Sequence, residues 1–229
     1  MAGAGRIDDY LTALDRRLRG PGRIKRDLLT EARDGLVDCA EAYQAAGLDR
    51  DAAERRAVAE FGPVAEIAAG YQEELAAWTG RRLALLVFAT VPVTALLWAL
   101  TWQVFPEPAG REWAAAPGWF RTAAHLLDWS QLVLGALGAL ALAGFGRGAR
   151  RPTRPRALAR VFGAAVLAEV VVVGALAGAL MIAGAHTLDE FLAFPPGLAA
   201  GLYSAAVTVW QACWAVGCLR VTRPPAVPA

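Results

Sequence analysis

The 229-residue chain is poor in the residues that build catalytic and metal centres. It holds two histidines, three cysteines and two methionines. The histidines, His125 and His186, lie far apart and beside apolar segments, and none precedes residue 80. No Ser–His or Cys–His arrangement for nucleophilic catalysis can therefore be drawn in the first third. Cys39, Cys213 and Cys218 give no disulfide framework. Cys213 and Cys218 fall about 140° apart around a helix, which is not a metal-ligand spacing. All three read as small buried hydrophobes. A phosphate-cradling loop is missing too, because "GFGRG" (144–148) follows an apolar helical run and not a strand. The first apolar run begins only after residue 82 and no cleavage site follows it, so no signal peptide is expected. These absences predict a non-enzymatic protein without cofactor or metal.

Apolar residues are abundant: they make up 56% of the chain, and the mean hydropathy is +0.37. That exceeds the roughly 45–50% of soluble domains, so part of the surface should face lipid. Charge divides the chain. Residues 1–80 carry 11 Lys/Arg against 15 Asp/Glu, and residues 81–229 carry 12 against 6. The expected fold is all-α: a small helical module (1–78), a short junction (79–82), a four-helix transmembrane bundle (83–220) and a Pro-rich tail (221–229).

Within the module, Ile7, Tyr10, Leu11, Leu14 and Leu18 share one helical face. "RGPGR" (19–23) ends that helix. Ile24, Leu28, Ala32, Leu36, Cys39, Tyr43 and Ala46 stripe a second helix closed by Gly47. Asp49 or Asp51 caps a third, with Ala53, Ala57 and Phe61 inward. In "AVAEFGPVAEIA" (57–68), Gly62 stops the third helix and Pro63 starts a fourth, where its missing N–H costs nothing. Phe61, Gly62 and Pro63 thus form an αα-corner, and Val64, Ile67, Tyr71 and Leu75 continue inward. Glu60 and Glu66 read as solvated.

The features "YLTALDRRL", "DLLTEARDGLVD", "AGLDRDAAERRAVAEFG" and the P-x-x-I-A that follows give this stretch a family resemblance. It resembles the helical HAAS-type signalling module, also called the permease prefix domain in actinobacterial proteins. The resemblance covers about the first third of the chain, and the order A-x-x-E-F-G-P is its most specific part. It implies a module that precedes membrane segments or transporter permeases and is associated with PadR-type transcriptional regulators. It carries no catalytic residues.

Four stretches are long enough for the roughly 20 helical residues that cross a bilayer. They run near 83–105, 126–146, 158–184 and 194–219. Ten arginines flank them on one side: Arg81, Arg82, Arg147, Arg150, Arg151, Arg154, Arg156, Arg160, Arg220 and Arg223. The other loops hold Arg111 and Arg121 beside Glu107, Glu112, Asp189 and Glu190. The basic side should be cytoplasmic, which puts both termini there and the protein in the cell membrane. Trp102, Phe105, Trp113, Trp119, Phe120, Phe191 and Phe194 would form the opposite aromatic belt.

Glu169 is the ionisable residue set deep in a span, and an intramembrane carboxyl is a functional candidate by default. Gln211 and Thr208 are expected at similar depth. Pro92 frees the carbonyl of Phe88, to which a protonated Glu169 could donate. Three readings stay open: an interhelical hydrogen bond, a proton or substrate pathway, or a site completed by a partner. Gly174-x-x-x-Gly178 and Gly197-x-x-x-Gly201 allow close backbone approach. Packing of the third span on the fourth is their expected use, with homo-oligomer formation as the alternative. The basic run "RRLRGPGRIKR" supplies Arg16, Arg17, Arg19, Arg23, Lys25 and Arg26. These are either a solvated loop or a contact for anionic lipid headgroups or an acidic partner. Nucleic acid fits poorly, because the module is net acidic and lacks interleaved exposed aromatics.

The expected function is presentation of a protein-interaction module on a membrane bundle, in signalling or regulation. The alternative is an accessory subunit of an ABC-type permease or a small transporter.

Overall fold

The computed structural model describes residues 5–105, 118–147, 155–183 and 194–223. These form seven helices, with no strand among the described residues: α1 (Arg6–Arg17), α2 (Gly22–Ala45), α3 (Arg50–Phe61), α4 (Val64–Val104), α5 (Trp119–Arg147), α6 (Pro155–Ala183) and α7 (Pro195–Val221). Glu107, Arg111, Glu112, Trp113, Arg150, Arg151, Arg154, His186, Asp189, Glu190, Phe191 and tail residues 224–229 lie outside the described residues.

Helices α1 to α3 and the first turns of α4 pack into the module. Ile7, Tyr10, Leu11, Leu14 and Leu18 are all buried, as the periodicity requires, against Leu28, Ala32 and Leu36 of α2 and Ala57 of α3. Leu14, Leu36 and Leu75 are wholly inaccessible, and each such side chain contributes about 1.5–3 kcal/mol by leaving water. The α2 stripe drifts late in the helix. Ala40 is buried, Cys39 is only half-buried, and Ala46 is exposed. Gly47 follows α2 at φ +99°. The Asp49 side chain accepts from the Ala52 N–H at 2.8 Å and so caps α3.

The expected corner is present. Gly62 sits at φ 107° and ψ 175°, a region open to glycine alone. The Tyr10 hydroxyl donates to the Gly62 carbonyl at 2.9 Å. The Tyr10 and Phe61 rings meet edge to face, 5.8 Å apart.

One expectation needs correction. Residues 79–82 form no junction, because α4 runs unbroken for 41 residues, about 61 Å at the helical rise. Thr79 and Gly80 are buried, and Gly80 lies under the ring of Phe145 from α5. A side chain at 80 would collide with that ring, so the glycine serves close packing here and α4 continues through it.

Four helices are long and apolar enough to cross a membrane: α4, α5, α6 and α7. α5 begins at Trp119, seven residues ahead of the expected 126. Leu83, Ala84, Val87, Val91, Leu134, Phe162, Val166 and Ala215 form the bundle's interior. Large apolar side chains such as Leu96, Leu140, Val161, Val171 and Leu202 face outward. At the end away from the module, Trp98, Trp102 and Phe194 stack in series at 5.8 and 6.2 Å.

Candidate functional site

The module and the bundle share one continuous seam. The module's core cluster takes in Ala159 from the start of α6, Val221 from the end of α7 and, at its edge, Phe145 from α5. The ends of three spans thus complete the packing of a domain that lies far ahead of them in sequence.

Gln72 of α4 is the polar centre of this seam. It is buried and uses both ends of its amide. Its Oε1 accepts from the Arg19 backbone N–H at 2.9 Å. Its Nε2 donates to the Arg19 carbonyl at 2.6 Å and to the Val221 carbonyl at 3.0 Å. Arg19 lies in the α1–α2 loop, whose backbone has no helical partners there. Val221 is the last residue of α7, where carbonyls are left without a donor. One side chain therefore satisfies a loop and a helix end together.

A second tie lies one residue on. The Glu73 carboxylate accepts from the Arg156 backbone N–H at 3.2 Å, in the first turn of α6. Negative charge is favourable there because those N–H groups are unpaired. The guanidinium Nε of Arg156 stands 3.0 Å from the other Glu73 oxygen. That N–H is not aimed at the oxygen, so the contact is ionic and not hydrogen-bonded. The Arg156 guanidinium also donates to the Ala69 carbonyl.

Aromatics mark the next level. Trp78 and Trp214 pack 5.9 Å apart, and the Arg82 guanidinium lies over the Trp78 ring at 5.2 Å. Tryptophan and arginine at this depth are the composition of a membrane boundary.

The sequence-predicted residues are dispersed by comparison. Lys25 pairs with Asp15 at 3.0 Å, and Arg26 donates to the Gly22 carbonyl at 3.2 Å. Arg16, Arg17 and Arg23 are exposed, so of the basic run only Arg19 belongs to the seam. Gln211 of α7 donates to the Thr90 hydroxyl of α4 at 2.8 Å, and Thr90 in turn donates to the Leu86 carbonyl at 2.6 Å. Thr208 only bonds back to the Ser204 carbonyl of its own helix.

Glu169 corrects an expectation. Its Oε1 is buried without a partner, and it makes no hydrogen bond to Phe88 or to any other described residue. The Gly174–Gly178 packing expectation also fails. A Cβ on either would meet nothing within 4 Å among the described residues. The close approach of α6 to α7 is made instead at Gly163, where a Cβ would lie 3.0 Å from Cys218 Cβ and 3.2 Å from the Ala215 carbonyl. Gly197 is crowded by Phe194 of its own turn, and Gly201 is half-buried. Cys213, expected to be buried, is exposed.

Gln72 and Glu73 are not singled out by the sequence, and Arg156 reads there only as one of the arginines on the basic side. "YQEEL" reads as a polar helical face, and nothing local tells that its glutamine meets residues 19 and 221. No group of three or more His, Cys, Asp or Glu suited to a metal occurs among the described residues.

A helical module seated on four apolar helices of membrane-spanning length is the class this architecture defines. Residues 9–70 match the model of the HAAS family, so the module is a HAAS domain. The match stops two residues short of Gln72. No curated protein and no solved structure matches the chain.

Proposed function

We propose that the protein is a non-enzymatic, multi-pass cell-membrane protein whose HAAS domain is a cytoplasmic docking module for a regulatory partner. The observation that carries this reading is the seam. α4 belongs to both parts without a break, and Gln72 fastens the module to the end of the last span. An occupant of the module therefore acts on the bundle, and a change in the bundle is felt by the module. The asymmetry of arginines about the spans supports a cytoplasmic module. The resemblance of the module points to PadR-type regulator pathways or to a permease as the partner.

Two measurements test it on the full chain. Cys39 is half-buried, so an impermeant thiol reagent should label it only after cells are opened; labelling of intact cells would overturn the orientation. Gentle extraction should then retain a regulator or a permease that is lost on charge reversal at Arg16, Arg17 and Arg23. Retention by both forms would place the contact elsewhere.

A further inference from the structure

The α1–α2 loop and the end of α7 enclose a cleft of about 610 Å³. Its walls divide by chemistry. Arg19 comes from the loop, and Arg220 and Arg223 come from the last turn of α7 and just beyond it. Trp214, Cys213 and Gly217 line the side that continues down the span. Among the described residues, no carboxylate lines the cleft and the three guanidinium groups make no ion pair. A Cβ on Gly217 would meet nothing within 4 Å, so the missing side chain leaves room on the apolar wall.

The cleft is also fixed in place. Gln72 holds the Arg19 backbone by two bonds and the Val221 carbonyl by a third. Gly20 packs on Leu75, with a Cβ there reaching 3.2 Å from it. The arginines thus hang from two segments that one buried amide keeps together. They lie about 9 Å along the helices from the Trp78–Trp214 pair, on its module side, just beyond the level where apolar span gives way to charged surface.

We propose that this cleft binds the headgroup of an anionic glycerophospholipid, with its phosphate among Arg19, Arg220 and Arg223 and its upper acyl chain along Trp214 and Gly217. Three guanidiniums without an ion pair among the described residues suit a phosphodiester, which accepts bidentate donation. A freely dissolved phosphate would use the rim and leave the apolar wall wet; a lipid uses both. Basic pockets at the membrane surface between helices recognise such headgroups. The bound lipid touches the module loop and the last span at once, so membrane composition would set how firmly the seam is closed. The proposal rests on the membrane reading and not on the identity of any protein partner.

The test reconstitutes the full chain in nanodiscs of mixed phosphatidylglycerol and phosphatidylcholine and counts retained lipids by native mass spectrometry. Wild type should retain phosphatidylglycerol preferentially. Arg220→Gln with Arg223→Gln should lower that preference by about fivefold per arginine. Gly217→Trp should abolish it with every charge in place. Helix content and melting in phosphatidylcholine alone serve as the folding control; if Gly217→Trp fails it, the arginine pair decides. Equal retention of both lipids by wild type, or an unchanged preference in the arginine variant, overturns the proposal. So does displacement of the lipid by glycerol 3-phosphate or by a glutamate-rich peptide. Failure of the folded chain to enter nanodiscs would instead overturn the membrane reading itself.

Discussion

Arg19 and Gln72 face each other as two strand residues would, exchanging a pair of hydrogen bonds at 2.9 and 2.6 Å. Here the second "backbone" is a side-chain amide, and its spare N–H reaches Val221, 149 residues further along the chain.

Gln72→Leu is expected to strand the Arg19 N–H and carbonyl and the Val221 carbonyl, at a cost on the order of 2–4 kcal/mol to the seam. Gln72→Glu keeps the acceptor but sets a second oxygen against two carbonyls, so it should be no milder. Hydrogen exchange would report the loss as faster exchange at 19–21 and 219–222, with 28–36 unchanged. Unaltered exchange at both seam segments would show that the clasp carries little of the docking.

Gly80 and Phe145 should behave as a lock and its key. Gly80→Ala puts a methyl group into the ring's place, an overpacking that costs about 1–3 kcal/mol. Phe145→Ala removes the ring and leaves a gap. The double variant should be more stable than the two single losses predict, because each change relieves the other. Thermal melting in detergent of all four forms measures the coupling; strict additivity would refute it.

The corner should be sensitive to both substitution and alkali. Gly62→Ala forces a Cβ into a glycine-only conformation at a cost on the order of 1–3 kcal/mol. Burial raises the Tyr10 phenol above its ordinary value, with Tyr71 adding to the effect. Tyr71 is raised as well, by burial first and then by Glu31 and Glu74. The folded state thus favours the neutral phenols. Their stabilisation is complete below the unfolded tyrosine value of about 10 and is lost as pH rises through the higher folded values. Melting temperatures should fall above about pH 10, and less steeply in Tyr10→Phe. A pH-independent melt across that range would contradict the assignment.

Inside the bundle, the two polar residues should respond oppositely. Gln211→Leu breaks the bond to Thr90 and should cost about 0.6–2 kcal/mol. Glu169→Leu removes a carboxyl whose buried oxygen has no partner, so stability should stay level or rise. Unfolding of the two variants side by side in detergent checks the contrast. A Glu169→Leu variant that melts earlier than wild type would restore an interhelical bond to this residue.

Local chemistry carried the sequence reading a long way. The Gly62-Pro63 break, the Asp49 cap and the α1 stripe are each decided by residues within a few positions of one another. The spans follow from length and hydropathy alone. Errors came where distant neighbours decide. "WTGRR" holds a glycine, which costs about 1 kcal/mol inside a helix relative to alanine and so reads as a weak point; Phe145, 65 residues on, makes that glycine a packing surface. The spacing of Gly174 and Gly178 is equally compatible with a face turned to lipid, and here no described residue approaches it. Gln72 is invisible for the same reason, since both its partners are remote in sequence.

The shared core also inverts the order in which the chain can be finished. Residues 6–75 leave the ribosome first, yet their core is closed by Ala159 and Val221. At about 5–20 residues per second, Val221 emerges on the order of ten seconds after Gln72. Until then the HAAS domain presents an open apolar edge and an unclasped loop. A partner that recognises only the closed module is therefore blind to half-inserted chains, and binding becomes a report that the last span is in place.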